Sequence, residues 1–170
     1  MAVIEGNARA NRLVGTASRD FMEGKGGNDT MYGRGGNDVM DGDAGNDLMY
    51  GGSGNDNMEG GLGADRMYGG TGNDIISGDE GNDVMTGGAG NDRFIFDSGD
   101  GDDRITDFVA GGTVDRLDLR DAAFDFVSFA DVLARAVDTS SGVLINLGGG
   151  DSVRLTGVHE ADLKAVDFLL

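Results

Sequence analysis

The sequence predicts an all-β fold. It is read as a parallel β-roll (a β-helix) of two opposed parallel sheets, in which two nine-residue copies make one coil and residue i lies against residue i + 18, closed by a small β-rich C-terminal cap containing a short helix. Three observations predict it. A nine-residue unit repeats ten times without a gap over residues 6–95, with glycine at the first position of every copy. The sixth position is Asp29, Asp38, Asp47, Asp56, Asp65, Asp74, Asp83 and Asp92 in eight successive copies, with Asp20 in the degenerate copy before them. The eighth position is apolar throughout, and every methionine except the initiator, from Met22 to Met85, occupies it.

Positions seven to nine of each copy alternate outward, inward, outward, the period of a short strand. The other six residues form a loop that reverses the chain. Glycine at position one (Gly24, Gly33, Gly42, Gly51, Gly60, Gly69, Gly78, Gly87) and position four (Gly27, Gly36, Gly45, Gly54, Gly63, Gly72, Gly81, Gly90) is expected where the turn needs positive φ and leaves no room for a Cβ. The Asn that usually fills position five is expected to tolerate such angles. The ninth position supplies independent evidence for the coil length: Tyr32, Tyr50 and Tyr68 alternate with Glu23, Asp41, Glu59 and Ser77. Every second copy therefore shares the same surroundings, which predicts a tyrosine ladder on one outer face and an acidic row on the other. Ten copies make about five coils, or roughly 24 Å of stack at about 4.8 Å per strand.

After Ile95 the register slips, and Gly99 to Ile105 reads as one further loop and strand. The chain divides on this reading into a roll over residues 1–108 and a C-terminal capping region over residues 109–170. Residues 128–136 are expected to form a helix with Ser128 as N-cap, and Val143–Leu147 with Ser152–Val158 a hairpin around Gly148, Gly149 and Gly150.

Composition limits the function. The net charge of −18, from 31 acidic and 13 basic residues, argues against nucleic acid or an anionic membrane and for cations as partners. No cysteine is present, so there is neither a disulfide framework nor a thiolate metal site. No segment approaches the roughly 20 apolar residues of a membrane helix, so membrane insertion is not expected. The N-terminus has no cleavable signal pattern.

Stacking each copy on the second one after it brings Asp29 to Asp47, Asp38 to Asp56, and so on to Asp92. Such pairs repel unless a cation lies between them. Calcium suits them, since it takes six to eight hard oxygens in flexible geometry and inward-turned loop carbonyls can complete the set, whereas magnesium demands tighter octahedral geometry. Pairing from Asp20/Asp38 to Asp74/Asp92 gives seven sites, with an eighth between Asp83 and a shifted ninth loop. The alternative for each aspartate alone is a turn residue on a solvated surface; eight in one phase favour the metal reading. Catalysis is not expected: His159 is the only histidine, and no metalloprotease, P-loop, EF-hand or nucleophile-elbow pattern occurs.

The unit GGxGxD followed by polar, apolar, polar resembles the RTX calcium-binding repeat of bacterial secreted proteins. The segment from Gly99 through the GGTVDRLDL stretch resembles the closing segment of serralysin-type proteases and alginate epimerase calcium modules. That resemblance implies Asp103, Asp107, Asp115 and Asp118 as further ligands, although GGTVD is one residue short of GGxGxD. The acidic and apolar end Asp167-Phe168-Leu169-Leu170 is similar to the terminus of type I secretion substrates; a last edge strand is the other reading. The resemblance implies a secreted, extracellular calcium module that partners the type I secretion machinery and folds on binding Ca²⁺. Alternatives are an adhesin or surface-layer component, or the non-catalytic C-terminal module of a larger enzyme or toxin. Methionine in the inward column departs from the branched aliphatics usual in the family, and implies a core that specifies structure less strongly.

Overall fold

The computed structural model describes residues 1–111, 115–120 and 122–170. Successive strands alternate between two sheets. The first, here the acidic sheet, carries in order Val3–Ala8, Phe21–Gly26, Val39–Asp41, Asn57–Glu59, Ile75–Ser77, Arg93–Ile95, Arg116–Asp118 and Phe168–Leu169, each parallel to its neighbour. The second, the tyrosine sheet, carries Arg12–Val14, Thr30–Gly35, Leu48–Ser53, Arg66–Thr71, Val84–Ala89 and Asp102–Ile105, again parallel. Strand partners stand two copies apart: Met22 pairs with Met40, Met40 with Met58, and Tyr32 with Tyr50. This is the expected parallel β-roll.

The inward column is the core. Met22, Met31, Met49, Met58, Met67, Ile76, Met85 and Phe94 are fully buried between the sheets, and Ile105, Leu117 and Leu155 continue the column into the cap. Unbranched thioethers can fill this narrow interior without fixed χ1 demands, which is how seven methionines share one slot. Outside, Tyr32, Tyr50 and Tyr68 stack at 5.2 and 5.0 Å between ring centroids, and Glu23, Asp41, Glu59 and Ser77 align in register on the opposite face. Both expected rows are present.

Two local expectations need correction. Strands of the tyrosine sheet from Thr30 to Ala89 run six residues, through the third residue of the following loop, as in Thr30–Gly35, whereas those of the acidic sheet from Val39 to Ile95 stop at three. From Gly24 onward positive φ falls at position two and, except at Gly81, at position four; the glycines of position one, expected to need it, and the Asn of position five do not have it. Lys25, Arg34, Asp43 and Asp79 adopt it at position two with φ between 59° and 76°. The asparagine serves another purpose. Its side-chain oxygen accepts the backbone N–H of position five one coil later, as from Asn55 to Asn37 at 3.0 Å and from Asn73 to Asn55 at 2.9 Å.

The cap is continuous with the roll, so both sheets run across residues 108 and 109. The expected hairpin forms from Gly142–Gly148 and Asp151–Thr156; its second strand lies parallel to Asp102–Ile105, and Ala136–Thr139 closes the outer edge. Helix α1 spans Phe129–Ala134. Ser128 is its N-cap residue, but the hydroxyl bonds the Asp131 carboxylate at 2.8 Å and no helix amide. The chain end supplies the final parallel strand, Phe168–Leu169 against Leu117–Asp118. The residue missing from GGTVD, at 112–114, lies outside the described residues.

Candidate metal centre

Each loop carboxylate is held by the coil below it. One oxygen of Asp38 accepts the backbone N–H of Asp20 at 2.7 Å, and the same bond joins Asp29 to Asp47, Asp38 to Asp56, Asp47 to Asp65, Asp56 to Asp74, Asp65 to Asp83 and Asp74 to Asp92, at 2.6 to 2.9 Å. The ladder continues where the repeat slips, from Asp83 to Asp103 at 2.9 Å and from Asp92 to Asp115 at 3.1 Å. Stacked aspartates are thus tied by backbone to side chain and do not simply face one another.

The second oxygen is different. Oδ2 of Asp29, Asp38, Asp47, Asp56, Asp65, Asp74, Asp83 and Asp92 is buried and has no hydrogen-bond partner. A buried polar atom without a partner costs about 1–3 kcal/mol, and more when charged. These eight are the aspartates of the regular copies. Asp20 is not among them, because the backbone N–H and hydroxyl of Thr16 satisfy its second oxygen at 2.6 and 2.8 Å. A backbone bond from Ala2, together with those from Thr16, lowers its pKa.

Burial raises the others. It pushes the carboxyls of Asp47, Asp74 and Asp83 to about 7 and those of Asp56, Asp65 and Asp92 to about 6, against the lowering effect of the ladder bonds. Asp103 is pushed to about 8 by the same cause. Asp29 and Asp38 also move up.

Position-one glycines line the space these oxygens face. A Cβ on Gly24 would stand 2.6 Å from Oδ2 of Asp29 and 2.6 Å from the carbonyl oxygen of Gly42, and one on Gly60 would meet Asp65 Oδ2 and the Gly78 carbonyl at the same distances. Gly33, Gly42, Gly51 and Gly69 face the equivalent pair; at Gly78 and Gly87 the nearest atoms belong to Asp83 and Asp92 alone. Position-four glycines meet the chain one coil back: a Cβ on Gly27 would lie 2.5 Å from the backbone of Arg9, and Gly36, Gly45, Gly54, Gly63, Gly72, Gly81 and Gly90 are similarly crowded by the preceding loop. They shape the loop, while position one forms the cradle. The donors are hard oxygens only, carboxylate and carbonyl, which suits calcium. Among the described residues no three carboxylate, His or Cys side chains converge, so carbonyls must complete any coordination shell.

The C-terminal candidates part company. Asp103 and Asp115 belong to the ladder. Asp107 instead clasps the loop amides of Gly87 and Gly88 at 3.0 and 2.8 Å. Asp118 bonds the Arg120 guanidinium at 2.7 Å, which lowers its pKa and commits it to an ion pair. Two clasps escaped sequence reading: Asp151 accepts from Gly99 and Gly101, and Asp167 from Gly111 and Lys164. His159 is exposed, beside Asp138 at 3.7 Å.

Residues 5–40, 24–58, 32–67, 59–94 and 68–105 match the RTX calcium-binding nonapeptide repeat family, which covers most of the roll. The chain belongs to that family. It is accordingly a calcium-binding repeat protein. No curated protein matches it. Among solved structures it is similar to the extracellular lipase LipA from Serratia marcescens, with 14% identity and a TM-score of 0.49 over 97% of this chain and 39% of the lipase. It is also similar to the AlgE6R3 subunit of the Azotobacter vinelandii mannuronan C5-epimerase, with 26% identity and a TM-score of 0.44 over 96% of this chain and 80% of that one. This RTX chain spans less than half the length of the lipase.

Proposed function

We propose that this RTX chain is an extracellular module whose roll folds on binding calcium, after export as an unfolded chain through a type I secretion system that reads its C-terminus. The observation that carries the reading is the row of eight buried, partnerless carboxylate oxygens, each set against a glycine cradle. Without a cation, folding must bury those oxygens ionised or protonate them, and must also order a chain with 33 glycines. A bound calcium ion supplies positive charge where the carboxylates need it. Oδ2 of Asp29 to Asp92 in phase, with position-one carbonyls, would hold about seven or eight ions, and Asp103 and Asp115 could extend the row. Ions that bind only the folded stack drive folding by mass action. Low cytosolic calcium would leave the chain threadable; millimolar calcium outside would fold it.

Far-ultraviolet circular dichroism during a calcium titration tests this, with magnesium as control. A cooperative coil-to-β transition specific to calcium is expected. A β signal that persists unchanged in metal-free protein would overturn calcium-gated folding.

A further inference from the structure

The carboxylate rungs form two separate rows. Ladder bonds join each aspartate to the one a coil later, so Asp29, Asp47, Asp65 and Asp83 make one row and Asp38, Asp56, Asp74 and Asp92 the other. Because every loop reverses the chain, the rows lie at opposite edges of the sheets. Loops of the first row follow strands of the acidic sheet, and loops of the second follow strands of the tyrosine sheet. Their surroundings differ in charge. From position nine to position five, the first row has Asp41, Asp43, Glu59, Asp79 and Glu80 in residues 41–46, 59–64 and 77–82, with no base, while Glu23 and Lys25 offset each other one coil earlier. The corresponding residues of the second row, 32–37, 50–55, 68–73 and 86–91, include no acid and one base, Arg34.

Asp43 and Asp79 bring that charge to the rungs. Each occupies position two of its loop, at φ 65° and 59°, and Arg34 occupies the same position in the second row at φ 76°. Asp43 accepts the backbone N–H of Lys25 at 2.9 Å and donates its own to Asp41 at 3.0 Å, and the Ser77 hydroxyl donates to Asp79 at 2.7 Å. After burial, repulsion by Asp43 helps to raise the carboxyls of Asp29 and Asp47, and repulsion by Asp79 those of Asp65 and Asp83. Asp38, Asp56 and Asp74 are raised by burial and by other rungs alone. Asp92, at the end of the second row, also meets Asp107, whose two oxygens the Gly87 and Gly88 amides hold.

An ion set between stacked rungs shares each carboxylate with the next ion, so a filled row holds about one carboxylate per Ca²⁺ and keeps net positive charge. In the first row the outer carboxylates offset that excess. Beside Asp38, Asp56 and Asp74 the loops offer no such offset, and Arg34 adds to the excess. Calcium affinity follows the negative charge gathered at the site. We propose that the two rows bind calcium with unequal affinity, the first filling before the second, and that Asp43 and Asp79 set the difference. The inference rests on the calcium reading above and adds the order in which its sites fill. With coils about 4.8 Å apart and a screening length of about 10 Å at 0.1 M salt, each outer carboxylate acts on neighbouring sites and its effect weakens as salt rises.

Terbium, a hard cation that takes oxygen ligands as calcium does, reads the rows separately. The chain has three tyrosines and no tryptophan, and Tyr32, Tyr50 and Tyr68 directly precede Gly33, Gly51 and Gly69, cradle glycines of the second row. Energy transfer from excited tyrosine falls steeply with distance, so sensitised terbium emission reports that row. Terbium is added stepwise to the metal-free full chain at about 50 mM salt, with bound metal measured by ultrafiltration and folding followed by circular dichroism on each sample. Roughly the first four ions are expected to bind with little emission, and later ions to bring it up. Asp43→Asn with Asp79→Asn, which keeps residues at home in the left-handed turn, should shorten this lag at least about twofold. Arg34→Asp, which puts a carboxylate beside the second row, should shorten it too, and either variant suffices if the other does not fold. Emission proportional to bound metal from the first equivalent would overturn the inequality and leave the calcium reading intact. A lag unchanged in the folded variants would overturn the role of Asp43 and Asp79. Protein that retains neither terbium nor calcium would overturn the calcium reading, and this inference with it.

Discussion

The carboxylate of Asp56 accepts the backbone N–H of Asp38 at 2.8 Å through one oxygen, while its other oxygen is buried with no partner. One side chain thus has a structural half and an unmet half, and substitutions can separate them. Asp56→Asn keeps an acceptor for the Asp38 amide, much as the Asn37 side chain accepts from Asn55. It should leave the folded roll intact and weaken the two calcium sites that share this loop by about tenfold or more. Asp56→Ala should cost more, since it also strands a buried N–H, worth about 1–3 kcal/mol. Asp102→Ala, at an exposed side chain bonded to Ser152, should change little. Calcium titrations of the three variants followed by circular dichroism measure the order; equal midpoints would contradict the pairing.

Acid should substitute in part for calcium. In the metal-free roll, burial raises the carboxyls of Asp47, Asp56, Asp65, Asp74, Asp83 and Asp92 to about 6 or 7, above the unfolded value of 3.8. The folded state then binds protons more tightly than the unfolded state, so this contribution is fully present below about pH 4 and is lost as pH rises through about 6 to 7. With calcium the direction reverses, because protons and ions compete for the same oxygens. Circular dichroism from pH 4 to 8 in metal-free buffer should show β structure at the acid end and loss at the neutral end, and calcium should abolish that loss.

Gly60 tests the cradle. Its backbone is not in the positive-φ region, so alanine is not excluded by conformation, yet a Cβ would stand 2.6 Å from Asp65 Oδ2 and from the Gly78 carbonyl. Gly60→Ala should therefore impair calcium-dependent folding by displacing the oxygens that face each other there. Isothermal titration calorimetry should count fewer bound ions; an unchanged count would place the ions elsewhere.

Much of this was legible because the partner of almost every repeat residue lies two copies along the chain. The phase alone placed the methionine column, the tyrosine stack and the aspartate ladder. Less legible was which loop residue takes the left-handed turn, since Lys25, Arg34, Asp43 and Asp79 share no chemistry and the position is set by the path between stacked loops. Asparagine looked like the turn residue, but its amide oxygen bridges coils, a role that sequence periodicity cannot distinguish from a turn preference. The cap carries no period. Asp151 reaches Gly99 across 52 residues, and only the three-dimensional closure of the hairpin brings them together. Asp115 was ambiguous for a related reason, because its loop departs from the repeat length even though the carboxylate reaches the expected rung.

Asp103 and Asp107 should behave as different kinds of residue despite standing four positions apart. Asp103 is a rung, accepting from Asp83 at 2.9 Å, so Asp103→Asn should shift the calcium midpoint upward with little effect on the plateau signal. Asp107 holds the Gly87 and Gly88 amides, so Asp107→Ala should lower thermal stability at saturating calcium by about 1–3 kcal/mol while leaving ion stoichiometry unchanged. Thermal melts and calorimetry on both variants separate the two roles.

The methionine column sets how far the roll depends on metal. Met58 is fully buried, in register with Met40 below and Ile76 above, so the slot one coil on already accommodates a β-branched side chain. Isoleucine has higher strand preference and loses less side-chain entropy on burial than methionine, which together favour the folded roll by about 0.5–1 kcal/mol. Met58→Ile should therefore move the calcium midpoint for folding to lower concentration, and Met40→Ile with Met58→Ile should move it further. Because the ions and the core drive the same transition, stability added by the column reduces the calcium needed to reach it. A midpoint displaced to higher calcium in the same titration would mean that the column needs the flexible thioether to close around neighbouring coils, and that methionine was retained for packing at the expense of strand preference.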